Sequence, residues 1–562
     1  MDSAEKHLLL LQTGPVQDFI TAARTTSDLC SGSYLIAYLT AAGIRYVCEQ
    51  GGEIIFPCLE NQTVYERLCG RTKELGQPTL PNRFLAEVPA DRAEEIARGA
   101  ESAIRKELEN ISGTCFENFC NLFTESGRKY RPRWENQVNR FLQISWQTVP
   151  LDPANWDKSY ARLLRNLAAR RNTRNFLQYA GDDSLPELQK DALNGKDEII
   201  GDLAEWKKIR KNFNTDSSVA TCDKPYGALS IIKRLWDECY LKQSFSAEKY
   251  SAFNLAKASS GEASEYIAAI QMDGDKMGSI LSSASKGKDF FTRFSKKLAN
   301  FTRKEAKTIV EDHHKGKLIY AGGDDVLAIV PACNAVKCVQ ELRKKFCADE
   351  PEMPGSEKDL APDVKRVSLS AGIAFAHWKT PLIWLLEEAR DAEHRAKNEY
   401  QRDALALSIV KRGGEILQWG AKFDSPAWKL YDQFIELGKT ESVSGKFASA
   451  LALYLKSYQL EKAKSKDSEI LSKIILADFA QVCSRQGKKD AIPQEFKDLA
   501  EEYVKELQKQ NELAAAALSL MKQSPDAEDP HGRNILADFP LLFLSASFLT
   551  RKKENDKGKE NA

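Results

Sequence analysis

The stretch KLIYAGGDDVLAIVP, residues 317–331, decides the fold that this sequence predicts. Two apolar runs flank a Gly-Gly pair, which is typical of a β-hairpin with a tight turn. Gly322 and Gly323 let backbone amides approach a phosphate, and the carboxylates of Asp324 and Asp325 follow directly. Alone, the motif is weak evidence, because Gly-Gly-Asp also forms ordinary hairpin turns. Its meaning depends on the elements around it.

Those elements predict a ferredoxin-like palm domain. A strand and a helix precede the hairpin, and a helix, a strand and a helix follow it. The order β-α-β-β-α-β is the ferredoxin-like plan, in which the first strand lies beside the hairpin. Asp273, at the end of that first strand, should therefore meet the hairpin turn. The expected flanking elements cover residues 266–272, 288–313, 335–346, 366–375 and 382–400.

Three carboxylates at one end of this sheet indicate metal-dependent nucleotidyl transfer. The reaction needs an activated 3′-hydroxyl and a neutralised pyrophosphate, which two divalent ions about 4 Å apart supply together. Mg²⁺ or Mn²⁺ takes oxygen ligands, and substrate phosphates and water complete the shell. Asp273, Asp324 and Asp325 are thus the candidate catalytic residues and metal ligands. Asp275 is a further candidate, which strand alternation places less favourably.

A lysine ends the last helix of this palm, LLEEARDAEHRAK. Ala389, Ala392 and Ala396 form a face of small residues that allows close packing on the sheet. Lys397 then either reaches substrate phosphates as a point charge or is a solvated lysine. The sequence alone favours neither interpretation.

The N-terminal segment follows a similar plan. A strand is expected at 7–13, a helix to about residue 38, and a hairpin over 44–58 with its turn at Gly51 and Gly52. We interpret the two segments as a divergent duplication in which only the second copy keeps the carboxylates.

Helices are expected in the rest of the chain. The run ARLLRNLAARRNTR, with arginines from Arg162 to Arg174, either binds RNA phosphates or is a solvated helix face. The predicted fold class is α+β, with two ferredoxin-like (nucleotide cyclase-like) palms, helical intervening segments and a C-terminal helical bundle. The expected domains are a degenerate palm with a helical insertion at 1–175, a helical linking domain at 176–262, the catalytic palm at 263–415, a helical domain at 416–550 and a disordered tail at 551–562.

Composition limits the classes of function. The 562 residues carry a net charge of +1, so no global basic field attracts nucleic acid. Twelve cysteines without a CxxC pair are typical of reduced thiols, and no zinc site is expected. The N-terminus does not resemble a signal peptide and no apolar run is long enough to span a bilayer, which predicts a cytoplasmic protein without a membrane partner.

Several motifs carry a family resemblance. GPVQDFI at 14–20, LPNRFLAEVP at 80–89, MDGDKMG at 272–278 and YAGGDDVLAIVP at 320–331 occur in the expected order. With these motifs the chain resembles the large subunit of type III CRISPR effector complexes, of the Cmr branch (subtype B). The resemblance implies partner Cmr-type subunits, a crRNA and a target RNA. It also implies ATP held between two palms and its conversion, on target binding, into cyclic oligoadenylate for antiviral defence.

The resemblance also assigns roles to residues. Asp273, Asp324 and Asp325 become metal ligands, and the other assigned residues contact nucleotide. These nucleotide-contacting residues are Gly14, Pro15, Gln17, Gly274, Asp275, Gly322, Gly323 and Lys397.

The chain departs from the family at three places. It has no His-Asp dipeptide, so no HD nuclease activity is expected, and the usual zinc-site stretch holds only Cys222. Asp18 replaces a small hydroxyl residue near the acceptor nucleotide, which keeps open a product that joins ATP to S-adenosylmethionine. A stand-alone GGDEF-type signalling cyclase and a catalytically silent scaffold are the remaining alternatives.

Overall fold

A computed structural model describes residues 5–121, 125–173, 189–212, 225–243, 251–257, 265–282, 287–464, 467–488, 491–521 and 534–550. Ten strands in this part of the chain form one sheet of four strands and one of six. The strands are β1 Lys6–Gly14, β2 Glu53–Phe56, β3 Arg83–Pro89, β4 Gln143–Pro150, β5 Tyr266–Gly274, β6 Lys317–Gly322, β7 Asp325–Pro331, β8 Leu369–His377, β9 Ala404–Val410 and β10 Ile416–Lys422.

Eighteen α-helices lie in the same described ranges. They are α1 Gln17–Thr21, α2 Thr26–Glu49, α3 Thr63–Leu68, α4 Ala93–Cys120, α5 Arg131–Phe141, α6 Trp156–Asn172, α7 Leu203–Asn212, α8 Ala228–Cys239, α9 Ala252–Lys257, α10 Met277–Ser282, α11 Lys288–Asn300, α12 Ala335–Phe346, α13 Leu382–Asn398, α14 Pro426–Lys439, α15 Phe447–Lys456, α16 Ser468–Gln486, α17 Gln494–Met521 and α18 Asp538–Thr550.

The first sheet has the order β2-β3-β1-β4, with all neighbours antiparallel. This is the ferredoxin-like order, and the central strand β1 is buried on both faces. Because side chains alternate along a strand, Leu9 and Leu11 pack under α2 and α4 while Leu8 and Leu10 join the core shared with α6. Four consecutive leucines therefore suit a strand that is covered on both sides.

The hairpin predicted over 44–58 is wrong. Helix α2 runs through this segment to Glu49, because Ile44 and Val47 continue its buried face. Gly51, at φ +83°, ends the helix by donating its N–H to the Cys48 carbonyl. The glycine pair is thus a helix C-terminus and not a hairpin turn, and β2 pairs with the distant β3.

The second sheet confirms the predicted palm. Its order is β10-β9-β8-β5-β7-β6, and the part β6-β7-β5-β8 repeats the ferredoxin-like arrangement. The hairpin of β6 and β7 lies beside β5, as the sequence pattern predicts. Beyond β8 the sheet continues with a parallel neighbour, β9, and then with β10.

The segment after Gly414 is not purely helical as expected. Residues 416–422 form β10, which pairs with β9 along its whole length. A boundary at residue 415 would cut this hairpin, so the second palm extends to Lys422. Leu417, Trp419 and Ala421 alternate into the core, a strand period that the helical interpretation missed.

The segment predicted as a separate linking domain contributes to the core of the first palm. Helix α8 packs on α2 and α4, and its Trp236 lies in the same cluster as Tyr34. Trp236 also donates its indole N–H to the Ser31 hydroxyl over 2.8 Å. The described residues of 225–243 therefore fold with the first palm.

The two palms pack directly against each other. Ile20 and Leu29 of the first palm share a core with Ile319 and Ile329 of the second sheet. The Ser33 hydroxyl donates to the Ile319 carbonyl over 2.9 Å. This contact fixes the N-terminal half of α2 against the strand that leads into the Gly-Gly-Asp-Asp turn.

Helices α14 to α18 form the C-terminal bundle around a cluster of phenylalanines. Phe434, Phe447 and Phe479 all lie close to Phe543 of α18. Trp419 of β10 ties the second sheet to this bundle by donating to Ser545 over 2.7 Å. The predicted disordered tail, 551–562, lies outside the described residues, and none of the described helices is long and apolar enough to cross a membrane.

Candidate active site between the two palms

The central strands of the second palm bring the predicted carboxylates together. Met272 of β5 pairs with Val326 of β7, so one step further along this antiparallel register Asp273 faces Asp325. Gly322 pairs with Asp325 and closes a two-residue turn that contains Asp324. The three aspartates thus meet at one end of the sheet although β5 and the turn are distant in the chain.

Two glycines make this close arrangement possible. A Cβ on Gly274 would lie 2.8 Å from the Cβ of Asp324 and would also collide with Met277. A Cβ on Gly322 would collide with the Tyr320 hydroxyl. Gly323, at φ +70°, adopts a conformation that side chains disfavour. Their predicted nucleotide contacts stay predictions, and their steric roles are direct consequences of the packing.

Burial and like charge together raise the pKa values of two of the three carboxylates. Burial and the neighbouring Asp273 raise the pKa of Asp324 to about 7. Burial, Asp324 and Asp273 likewise raise the pKa of Asp325 well above its usual value. Such shifts arise where carboxylates share a site without enough positive charge, so a cation would be stabilised among them.

Lys397 supplies one positive charge to this cluster. Its ammonium contacts the Asp273 carboxylate and lies 2.6 Å from Glu393 Oε1. Burial alone would lower the pKa of Lys397, but attraction and hydrogen bonding to Asp273 and Glu393 raise it to about 12. Lys397 is therefore no solvated surface lysine. Glu393 is 5% exposed at its side chain and holds the ammonium in place.

The donor set suits a hard divalent ion. All three groups are carboxylates, the oxygen ligands that Mg²⁺ and Mn²⁺ prefer, and burial together with the neighbouring carboxylates raises the pKa values of Asp324 and Asp325. Within the described ranges, however, no three or more His, Cys, Asp or Glu side chains are arranged as a ready metal cluster. In this structure Lys397 takes up part of the Asp273 coordination capacity. The metal site stays a prediction.

Asp275 is placed differently from its predicted nucleotide-binding role. Its carboxylate is buried and accepts hydrogen bonds from the Ser368 and Ser370 hydroxyls, at 2.8 and 2.7 Å. It also accepts from the backbone N–H of Asp403 over 2.9 Å. These three donors direct Asp275 into the packing of β8 and the loop before β9. Its observed role is structural.

An open cavity of about 1300 Å³ joins the two palms. Gly14, Pro15 and Gln17 of the first palm line one wall, and their nucleotide contacts stay predictions. Asp325 and Tyr320 of the second palm line the opposite wall. One space is thus shared by the carboxylate end of the second sheet and the loop that follows β1.

The cavity also contains basic and polar residues that were not predicted as site residues. Tyr320 lines it beside Asp325, and Arg390 lines it from α13. Arg83, on β3 of the first palm, acts across the palm interface, where its positive charge partly offsets the raised pKa of Asp324. Arg83 and Tyr320 belong to the quoted motifs, but only the packing of the two palms reveals what they face.

The predicted basic run ends at this cavity. Arg170 and Arg171, in the last turn of α6, line it together with Arg140. Arg174 lies outside the described residues, as does Cys222 of the zinc prediction. The RNA contact of this run stays a prediction, since the cavity that it lines is also the one that contains Asp325.

Asp18 lines the cavity from the first palm. Its carboxylate lies 2.8 Å from the Lys196 ammonium, and this hydrogen bond and charge hold the pKa of Asp18 below its usual value. A charged carboxylate therefore stands where the acceptor substrate is expected.

Family models match both halves of this arrangement. Residues 266–406 match the model described as Cas10/Cmr2, second palm domain. Residues 8–113 match the model described as CRISPR-associated protein Cmr2, N-terminal. The matched ranges contain the three aspartates and the loop after β1, respectively.

A curated relative agrees with these matches. The chain is 30% identical over 241 residues to the CRISPR system Cmr subunit Cmr2 of Pyrococcus furiosus. The alignment covers 38% of this chain and 26% of the relative, so the chain matches about a quarter of that protein's length.

Solved structures share the fold over a larger part of the chain. The type III-B Cmr-beta complex in its apo state contains a chain with a TM-score of 0.59 at 12% identity, covering 88% of this chain and 78% of that one. Cmr-beta bound to cognate target RNA gives the same TM-score and identity, covering 88% and 79%. At this identity the likeness concerns the fold alone.

Proposed function

Because this chain belongs to the Cas10/Cmr2 family of large subunits, we propose that it is the nucleotidyltransferase of a crRNA-guided type III effector complex. On binding target RNA it converts ATP into a cyclic oligoadenylate messenger for antiviral defence, in the cytoplasm. The other Cmr-type subunits, the crRNA and the target RNA are its partners. The palm fold supports a nucleotidyltransferase, and the product is the further step of the proposal.

One observation carries the proposal. The cavity that contains Asp325 also contains Gly14, Pro15 and Gln17 of the other palm. Joining two nucleotides requires a donor triphosphate and an acceptor hydroxyl in one space. A cavity walled by both palms accommodates the two substrates, whereas a single palm offers only one wall.

Different residues of this chain have different roles in the proposed reaction. Asp273, Asp324 and Asp325 would hold Mg²⁺ or Mn²⁺, which when bound activates the acceptor hydroxyl and neutralises the leaving pyrophosphate. The glycines before Asp324 leave the turn without side chains, so backbone amides are accessible to phosphate oxygens. The loop after β1 positions the acceptor nucleotide.

Positive side chains complement the triphosphate. Lys397, which pairs with Asp273 in this structure and has a raised pKa, would contact a substrate phosphate if a cation occupied the carboxylates. Arg390 lines the cavity between the palms from α13. Both side chains lie on one helix, so they approach the substrate from one side.

A second product is favoured by one observation. Asp18 places a carboxylate, which Lys196 contacts over 2.8 Å, in the wall where the acceptor would bind. A carboxylate attracts a cationic acceptor such as S-adenosylmethionine better than it attracts a second ATP. Conjugation of ATP to S-adenosylmethionine is therefore the alternative reaction of the same site.

Product analysis of the reconstituted, target-bound complex tests the proposal. ATP and Mg²⁺ are supplied with and without S-adenosylmethionine, and pyrophosphate release and product masses are measured. Cyclic oligoadenylate supports the proposal, and a conjugate formed only with S-adenosylmethionine supports the alternative. Turnover without RNA would indicate a stand-alone cyclase, and no pyrophosphate release in any mixture would indicate a silent scaffold.

A further inference from the structure

Lys233 is a fully buried lysine that no part of the proposed chemistry uses. It lies on α8, is 1% exposed, and donates to the backbone carbonyls of Phe19, Ile20 and Ala22, the last two over 3.1 and 2.8 Å. These carbonyls belong to the C-terminal end of α1, where backbone oxygens lack partners within the helix. The ammonium therefore caps α1.

The approach of Lys233 to α1 depends on a neighbouring glycine. A Cβ on Gly32 of α2 would collide with Cε of Lys233. The ammonium also lies 4.7 Å from the centre of the Phe19 ring. Burying a charge is costly, and burial lowers the pKa of Lys233 to about 7, so the three carbonyls and the aromatic face offset that cost only in part.

The next residue of α8, Arg234, contacts the chain on the α2 side of the link between α1 and α2. Arg234 donates to Asp28 over 2.8 Å, and both side chains are almost fully buried. The same Asp28 oxygen accepts the backbone N–H groups of Arg24 and Thr25, at 2.9 and 3.1 Å. Lys233 and Arg234 thus hydrogen-bond to the chain on both sides of the link between α1 and α2.

The segment that α8 contacts forms part of one wall of the cavity between the palms. Gln17, Asp18, Ile20 and Thr21 line that cavity, and they lie on or next to the turn whose carbonyls Lys233 caps. A helix as short as α1, with five residues, is not stable without tertiary contacts. Its conformation, and with it the shape of the wall, depends on the partner that holds it.

We propose that Lys233 is a positioning residue for the nucleotide cavity, which acts by fixing α1 in the conformation that forms the first-palm wall. The nucleotide part of this inference rests on the proposed function. The positioning part concerns the backbone of residues 16–25 and can be measured without any nucleotide. Helix α8, from the stretch between the palms, is then the support of the acceptor side of the site.

Three variants of the full chain separate positioning from stability. Lys233→Met removes all three hydrogen bonds, and Lys233→Gln keeps an amide donor for part of them. Ile231→Ala, at a fully buried position of the same helix, is the matched control that loses packing but no contact with the α1 carbonyls. Amide hydrogen exchange of residues 16–25 is measured in each, together with KM and kcat for ATP in the target-bound complex.

Exchange of residues 16–25 should rise about tenfold or more in Lys233→Met, because the three hydrogen bonds to the α1 carbonyls are lost. Lys233→Gln should be intermediate, and Ile231→Ala should leave this segment near the wild-type rate. KM for ATP should follow the same order while kcat changes less. Equal exchange in Lys233→Met and Ile231→Ala would overturn the positioning role, and so would an unchanged KM. A wild-type complex without turnover would instead refute the proposed function, and the exchange order would still decide whether Lys233 positions α1.

Discussion

Asp273 at the end of β5 faces Asp325 at the start of β7, one step beyond the last paired residues of the two strands. The register of a central strand pair, which the buried faces of both strands fix, therefore sets the spacing of the carboxylates. Asp324 lies outside this paired register, in the two-residue turn between Gly322 and Asp325. This relationship predicts a rigid cation site whose chemistry can be removed without unfolding the palm.

Replacing Asp324 and Asp325 together by asparagine should abolish product formation. The double variant keeps the shape of the turn but removes the charges that would hold the proposed divalent ion, so pyrophosphate release should fall at least about 1000-fold. Because the carboxylates repel each other without metal, the free energy of unfolding in EDTA should hold or rise by roughly 1 kcal/mol. Pyrophosphate assays and thermal melts measure the two effects.

Asp289→Asn, an exposed carboxylate on α11 of the same palm, is the control and should change neither quantity. Strong destabilisation of the double variant, or loss of complex assembly, would mean that the pair is structural.

Gly274→Ala should damage the site by steric contact alone. The new methyl would lie 2.8 Å from the Cβ of Asp324 and would also meet Met277, so the turn or α10 must shift. Overpacking of this kind costs about 1–3 kcal/mol in unfolding free energy, and a displaced Asp324 should lower turnover further. Denaturant unfolding and kcat measure both changes.

Gly278→Ala is the matched control, because a Cβ there meets nothing within 4 Å. It lies four residues further on and should keep wild-type stability and turnover. Normal activity of Gly274→Ala would contradict the close packing of the strand end on the turn.

The sequence predicts a structural element correctly where residues close together in the chain determine it. The β6–β7 hairpin and α12 follow from apolar periodicity and turn residues, and the structure confirms both. The end of α2 was missed because Gly51 serves equally in a hairpin turn or as a helix terminus, and only burial of Val47 decides between them.

The roles of site residues could likewise be predicted only where they depend on residues of one palm in a known order. The convergence of Asp273 and Asp325 could be predicted because one palm supplies both. The structural role of Asp275 depends on hydroxyls almost a hundred residues away, and the influence of Arg83 on Asp324 depends on how two palms pack. No local pattern carries such information.

Lys397→Met should raise KM for ATP more than it lowers kcat. In the proposed function the lysine contacts a substrate phosphate, so its removal should cost about 10- to 100-fold in ATP affinity, as for other charge-assisted contacts. The variant also leaves the buried Glu393 without its partner, so the free energy of unfolding should fall by roughly 1–3 kcal/mol.

Lys397→Arg retains the charge but not the compact shape, and it should restore stability better than affinity. Initial-rate kinetics over a range of ATP concentrations and thermal melts compare the two variants. A wild-type KM in Lys397→Met would show that the lysine serves only to pair with Asp273.

Glu87 should make the junction between the palms sensitive to acid. This buried carboxylate of β3 lies 2.9 Å from Lys6 and 3.1 Å from Lys288, which begins α11 of the second palm. Burial would raise its pKa, but the two lysines hold the pKa of Glu87 below its usual value. Because the folded-state pKa is lowered, the stabilisation by Glu87 is present above the unfolded-state value near 4.5 and is lost as the pH falls through the folded-state pKa.

Glu87→Gln should therefore cost about 1–2 kcal/mol in unfolding free energy at pH 7, with the difference from wild type vanishing in strong acid. Glu53→Gln, at a half-exposed carboxylate that also contacts Lys288 over 2.6 Å, is the control and should cost less at every pH. Urea unfolding between pH 3 and 7 measures both, and a Glu87→Gln difference that does not depend on pH would show that packing, and not charge, explains the loss.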